Sequence, residues 1–241
     1  MISERHDTLL YFVPHQDDEL LTMGIDICDS LLHKKDVHVI LCTDGSKSGI
    51  IKQLNDQQDC PNHAGNHIYD LSESEFSAAR DEEFKESCLA LGVAEDNIHI
   101  LPQRAVDGSL TADFAESVIC RFLELYGKQS VVCTIYHDND EMQHHDHKAL
   151  GFAAANLFEA GKIRKVRFFC EPYHLKENDN RFTKKRASKD VYSKIEGALN
   201  SYAYWNPPQK RYAIGYHSVT KEMDRLRQEM TCYFFGATRD K

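Results

Sequence analysis

No run in the 241-residue sequence approaches the eighteen or so apolar residues of a membrane helix. No basic block is present either. Lys and Arg number 29 against 38 Asp and Glu, for a net charge of −9 with histidines neutral. That balance argues against nucleic acid or an anionic membrane as the main partner. Residues 1–7 lack the basic-then-apolar pattern of a secretory signal. Internal repeats, low-complexity stretches and Gly/Ser linkers are missing. With 41% hydrophobic residues there is enough for one sizeable core, so a single domain over residues 1–241 is expected. The eight cysteines are scattered, most inside apolar runs such as the one ending at Cys42. They read as reduced core residues rather than a disulfide framework, which points to the cytoplasm.

What is present is an alternation of short apolar runs and helical periods. Thr8–Val13 reads as a buried strand stopped by Pro14. Residues 18–32 follow as a helix, with Leu20, Leu21, Ile25, Cys28, Leu31 and Leu32 at helical spacing. Residues 37–43 form a second strand. Residues 46–71 are polar and without period, a long loop of the kind that is usually functional or disordered in a compact domain. Helices are expected over 72–91, 111–126 and 147–160, and strands over 98–101, 131–136 and 166–170. This order predicts an α/β fold: a three-layer, Rossmann-like, mostly parallel sheet with helices on both faces. The site of such a sheet lies at the carboxyl ends of its strands, near a switch point. A nucleotide-binding Rossmann protein is disfavoured, because no Gly-x-Gly-x-x-Gly follows the first strand.

Two polar clusters sit at strand ends. The first is His15-Gln16-Asp17-Asp18-Glu19 after the first strand. Its carboxylates suit the first turn of a helix, where they complement the dipole. They also suit metal chemistry: His15 and Asp18 can converge on one ion across the turn, with Asp17 between them. The second is His144-His145-Asp146-His147, at the start of a helix after the fourth strand. Alone it reads as a solvated turn. Brought to the same mouth as the first, it completes a His/Asp/His set with an open fourth position, a catalytic zinc pattern. Asp146 is placed to orient a neighbouring imidazole.

Together these segments resemble the zinc-dependent N-deacetylases of the PIG-L and LmbE-like family, with its His-x-Asp-Asp-Glu and His-x-Asp-His motifs. The resemblance extends to Gly24, to Thr43-Asp44-Gly45, to the stretch from Arg80 to Val93, and to Asp107-Gly108. It spans roughly residues 8 to 160, and bacterial secondary-metabolism members are the most similar in feel. It implies an LmbE-like deacetylase fold and one zinc per chain held by His15, Asp18 and His147. It further implies Asp17 as general base, His144 as the group that stabilises or protonates the reacting amide with Asp146 behind it, and Arg80 and Asp107 as sugar contacts. The chain departs from the pattern at Gln16, where proline is commoner, and at Met142, where some relatives carry a carbonyl-polarising tyrosine.

Other residues carry weaker signals. Arg80 and Glu83 fall on the apolar stripe of their helix, so two charges point inward, and an Arg–Glu ion pair is the plain structural reading. Cys60, His63 and His67 imitate a zinc-ligand spacing but have no fourth partner nearby in sequence, so they are read as part of a loop bordering the cleft. His137-Asp138 either lines the site or ends a strand. The stretch from Tyr212 to His217 reads as a late strand or lid, its histidine structural. Tyr202, Tyr204 and Trp205 read as packing, and Lys184-Lys185-Arg186 as a solvated helix start. Residues 172–241 are expected to form a substrate-side extension.

The function expected is zinc-dependent hydrolysis of the N-acetyl group of a small, soluble N-acetylated amino sugar, with neither nucleic acid nor membrane as partner. Cleavage of sugar–thiol conjugates at the same site is the rival within the class. A non-catalytic sugar-binding module is the rival outside it, and it has no use for Asp17.

Overall fold

Along β1 (Thr8–Val13) the side chains alternate between two cores: Leu9, Tyr11 and Val13 on one face, Leu10 and Phe12 on the other. A strand covered on both faces carries an unbroken apolar run, as this one does. The computed structural model describes residues 7–56, 60, 62, 67–136, 143–175 and 180–239. After β1 come α1 (Asp18–Leu21), α2 (Gly24–Leu32), β2 (Asp36–Thr43), α3 (Ile50–Asn55), α4 (Glu73–Leu91), β3 (Ile98–Ala105), α5 (Ala112–Tyr126), β4 (Val131–Ile135) and α6 (His145–Glu159). Then follow β5 (Lys165–Cys170), β6 (Thr183–Arg186), α7 (Lys189–Ala203), β7 (Trp205–Asn206), β8 (Arg211–Tyr212), α8 (Ile214–Ser218), α9 (Thr220–Glu229) and β9 (Thr231–Thr238).

Seven strands form the central sheet in the order β3-β2-β1-β4-β5-β9-β6. The first five are parallel, and β9 runs antiparallel between β5 and β6. Side chains of α2, α4, α7 and α9 pack on one face, and those of α5 and α6 on the other. The expected three-layer α/β sheet is therefore present. The order turns back at β1, since β2 lies on one side of it and β4 on the other. That reversal opens a crevice at the carboxyl ends of β1 and β4.

Several local expectations change. The helix expected over 18–32 is two helices. The Thr22 hydroxyl donates back to the Asp18 carbonyl at 2.7 Å, a side-chain bond that competes with helix propagation where α1 stops. The loop over 46–71 holds α3, and the strand expected to stop at residue 101 runs on to Ala105. Lys184–Arg186 belongs to strand β6, not to a helix start. It pairs with β9 while Lys185 Nζ reaches the buried Asp26 carboxylate at 2.9 Å. α4 begins as its sequence dictates: Ser72 accepts from the Glu75 amide and Glu75 returns the bond to the Ser72 amide. Among the described residues no helix is long and apolar enough to cross a membrane.

Candidate active site

The β1/β4 crevice brings the two polar clusters together. His15 Nδ1, Asp18 Oδ2 and His147 Nε2 lie 3.2 to 3.4 Å from one another. Ligands on a tetrahedral zinc, each about 2.0–2.1 Å from the ion, stand about 3.3–3.5 Å apart. The three atoms thus already have the spacing of one triangular face of such a site. All three residues are buried. The electrostatics agree with the spacing. Burial alone disfavours charge on His15, yet Asp107, Asp146 and Asp18 raise its pKa well above the usual value. Burial likewise works against charge on His147, and Asp18 and Glu171 push it up to about 10. Burial alone would raise the Asp18 carboxyl, but the two imidazoles hold it well below the usual carboxylate range. The cradle favours positive charge at its centre, which a divalent cation supplies.

Asp17 sits in the turn between β1 and α1 at φ 112°, a conformation that side-chain-bearing residues rarely adopt. Arg80, buried on α4, holds the turn from below. Its Nη2 donates to the Gln16 carbonyl at 2.8 Å and lies 3.3 Å from Asp17 Oδ2, and its Nη1 donates to the Gly45 carbonyl at 3.1 Å. Gly45 permits this approach: at φ +63°, a Cβ there would collide with Gln16 Oε1 and lie 2.8 Å from Arg80 Nη1. From the other side, Glu19 accepts from the Asp17 amide, the Ser87 hydroxyl and the Tyr202 hydroxyl. Burial pushes the Asp17 carboxyl up to about 7, against the pull of Arg80.

Arg80 and Glu83 are not hydrogen-bonded to each other. Glu83 turns to α8, accepting the amides of Ile214 and Gly215 at 2.7 and 2.9 Å. Asp146 is not behind His144 either. Its Oδ2 is 3.0 Å from His15 Nε2 and 4.0 Å from His144 Nδ1, and its carboxylate is fixed by the amides of Gly108 and Leu110. Asp107 faces the same His15 nitrogen at 3.3 Å and accepts the Lys47 amide. His15 is therefore aimed at the cradle by two carboxylates. His144 caps α6: its Nδ1 accepts the Asp146 amide at 3.2 Å. In the neutral ring this leaves the proton on Nε2, and burial lowers the His144 pKa, which keeps the ring neutral.

Glu171, just past β5, is the residue that sequence reasoning missed. Its Oε2 is 3.2 Å from His147 Nδ1, so it orients that ring as Asp146 orients His15. Tyr173 donates to the other Glu171 oxygen. A lone glutamate after a strand gives no signal beyond its place at a strand end. These groups open onto a cavity of about 490 Å³, also lined by Asp17, His144, Tyr173, Lys47, Glu222 and Arg225. Arg80 and Asp107 line it as well, Arg80 already engaged with Asp17 and Asp107 with His15. Met142, His137, Asp138 and His63 lie outside the described residues.

The model of the family described as PIG-L, GlcNAc-PI de-N-acetylase, matches residues 10–158, a segment that carries both clusters. No curated protein sequence matches the chain. Solved structures share its fold. A deacetylase triple mutant from the teicoplanin biosynthetic pathway superposes with a TM-score of 0.65 at 18% identity, covering 97% of this chain and 99% of its own. The A40926 pseudoaglycone deacetylase gives 0.64 at 16% identity, covering 99% and 100%. The N,N'-diacetylchitobiose deacetylase of Pyrococcus horikoshii gives 0.60 at 16% identity, covering 97% and 85%.

Proposed function

Because the chain belongs to the PIG-L family of de-N-acetylases, we propose that it hydrolyses the N-acetyl group of an N-acetylglucosaminyl small molecule to give the free amine and acetate. The observation that carries this reading is the cradle of His15 Nδ1, Asp18 Oδ2 and His147 Nε2 with the Asp17 carboxylate beside it at the cavity floor. The donor set, two imidazoles and a carboxylate, suits zinc. When bound, the ion polarises the amide carbonyl and makes water a nucleophile at neutral pH.

The protein's own groups do the rest. Asp17 takes the proton of the attacking water as general base, a role that asks for a pKa near the working pH. Arg80 and Glu19 hold that carboxylate in its strained turn and are positioning residues. The neutral His144 offers its Nε2–H as a hydrogen bond to the developing oxyanion, and Asp17 passes the proton it took from the water to the leaving amine. Asp146, Asp107 and Glu171 keep the two imidazole ligands oriented. A module that only bound sugar would have no reason to keep an aspartate buried at φ 112°.

The cavity is open and lined by charged side chains, in keeping with a water-soluble amino sugar, its ring hydroxyls facing Lys47, Asp107, Glu222 and Arg225. The eight free cysteines are in keeping with a reducing, cytoplasmic setting. The test is acetate release by the zinc-loaded protein from a panel of soluble N-acetylglucosaminides, set against a simple acetamide of similar size. A site that pairs hydroxyls should favour the sugars strongly in kcat/KM. Equal rates on both, or release unchanged in His147→Ala, overturn the reading.

A further inference from the structure

Well away in sequence from both clusters, a cysteine and two histidines converge beside α8, whose last residue lines the cavity. Cys60 Sγ lies 3.1 Å from His217 Nε2, and donor atoms of Cys60, His67 and His217 all fall within 4.8 Å of one another. The sulfur and the ring belong to segments 157 residues apart, the long loop and α8.

Three details distinguish this group from chance packing. The Nδ1 of His67 is 2.8 Å from the Gln53 carbonyl, and the Nδ1 of His217 is 2.7 Å from the Ala213 carbonyl. Each ring therefore donates from Nδ1 to the backbone, which makes Nε2 the nitrogen able to ligate, the arrangement by which metal-binding histidines are held. The third detail is Cys60 itself. Its sulfur accepts the Asn62 amide at 3.3 Å while facing His217, so its position is set from both sides. On a tetrahedral zinc with bonds of about 2.3 Å to sulfur and 2.0–2.1 Å to nitrogen, those two ligands stand about 3.6 Å apart. Cys60 and His217 need to part by only a few tenths of an ångström.

We propose that Cys60, His67 and His217 form a second, structural zinc site. One thiolate and two imidazoles are a donor set that selects zinc over calcium or magnesium. The fourth position is left to water or another ligand. The site would cross-link the loop carrying residues 60 and 67 to α8, whose amino end is held by Glu83 and whose last residue, Ser218, lines the catalytic cavity. It would thereby fix the cavity's outer wall without touching the reacting atoms.

The ring of Trp205, the only tryptophan in the chain, lies 5.8 Å from that of His67 and 5.7 Å from that of His217. It is a built-in reporter. The protein stripped of metal would be titrated with zinc, following bound metal, Trp205 fluorescence and Tm. Wild type should bind two equivalents, Cys60→Ser one and His147→Ala one. The fluorescence change and a rise in Tm should persist in His147→Ala and vanish in Cys60→Ser. Cobalt adds a readout that the catalytic cradle lacks for want of sulfur: a thiolate charge-transfer band, present in His147→Ala and absent in Cys60→Ser. His217→Gln should reproduce the loss of fluorescence response. A single equivalent in wild type that His147→Ala abolishes overturns the second site while leaving the catalytic reading intact. So does a charge-transfer band that is absent or indifferent to Cys60→Ser.

Discussion

Arg80 Nη2 lies 3.3 Å from Asp17 Oδ2, and the same nitrogen donates to the Gln16 carbonyl at 2.8 Å. One guanidinium thus holds both the charge and the backbone of the turn that carries the base. Arg80→Ala should lower kcat about 10²-fold, the scale of a misplaced catalytic group, while bound metal at the cradle stays near wild type. If KM rises instead and kcat holds, Arg80 contacts substrate in the way the sequence resemblance implied.

Asp17 and Asp18 are neighbours with different neighbours of their own. Asp18 faces both imidazoles and Asp17 faces Arg80. Asp17→Asn should keep its metal and lose about 10²–10⁴-fold in kcat. Asp18→Ala should lose the metal. Steady-state rates and metal analysis on the two variants separate the roles, and normal turnover by Asp17→Asn would move the base elsewhere, with His144 next in line.

Glu171 acts, in its proposed role, only through His147 Nδ1. Glu171→Gln should weaken zinc binding at the cradle about 10–100-fold, the usual effect of losing a carboxylate behind a histidine ligand. A competition titration with a chelator measures it. Unchanged affinity would show that the ring is oriented without the charge on Glu171.

Glu83 is a structural prediction. Glu83→Ala strips the acceptor from two amides at the start of α8, at a cost of about 1–3 kcal/mol for each buried donor left unpaired. Tm should fall, with cradle metal content preserved. A variant as stable as wild type would mean that water replaces the carboxylate.

Away from the site, His99 packs against Phe122 and Tyr126, and its Nε2 is 3.1 Å from His38 Nδ1. Burial, then the neighbouring His38, lower its pKa to about 4 from the 6.5 of a free histidine. Between those values the unfolded chain binds the extra proton, so stability rises with pH in this window and falls on acidification through it. Tm measured across that range should drop toward acid, and His99→Gln should flatten the slope. A slope unaffected by the substitution removes His99 as its source.

The sheet was legible because its strands are apolar runs closed by Pro14 or by Asp44-Gly45, and such runs need no distant partner to be recognised. The cradle was legible for a related reason. Each half of it is contiguous, His15 to Asp18 and His144 to His147, and each half abuts a strand end. What escaped depends on long-range company. Glu171 gains its meaning only from His147 and Cys60 only from His217, a partner no local spacing rule reaches. Strand β6 was hidden by its charges: Thr183–Arg186 looks helical or solvated until β9 supplies its ladder and Asp26 its counter-ion. Asp146 reads as the partner of His144 because they are neighbours in sequence, whereas the helix start turns its carboxylate toward His15.

β9 is the last strand of the sheet in chain order, yet it lies between β5 and β6. During synthesis the five parallel strands can pair as they emerge, and with them the walls that carry His15, Asp18 and His147. β5 must then keep an open edge, and β6 must wait without its ladder partner, until residues 231–238 leave the ribosome. An open edge of this kind is a template for pairing with a neighbouring chain. The sheet is thus exposed to misassembly until β9 is made, after the chemistry-bearing strands have taken shape. Deletion of residues 231–238 should yield aggregates rather than a smaller, working enzyme.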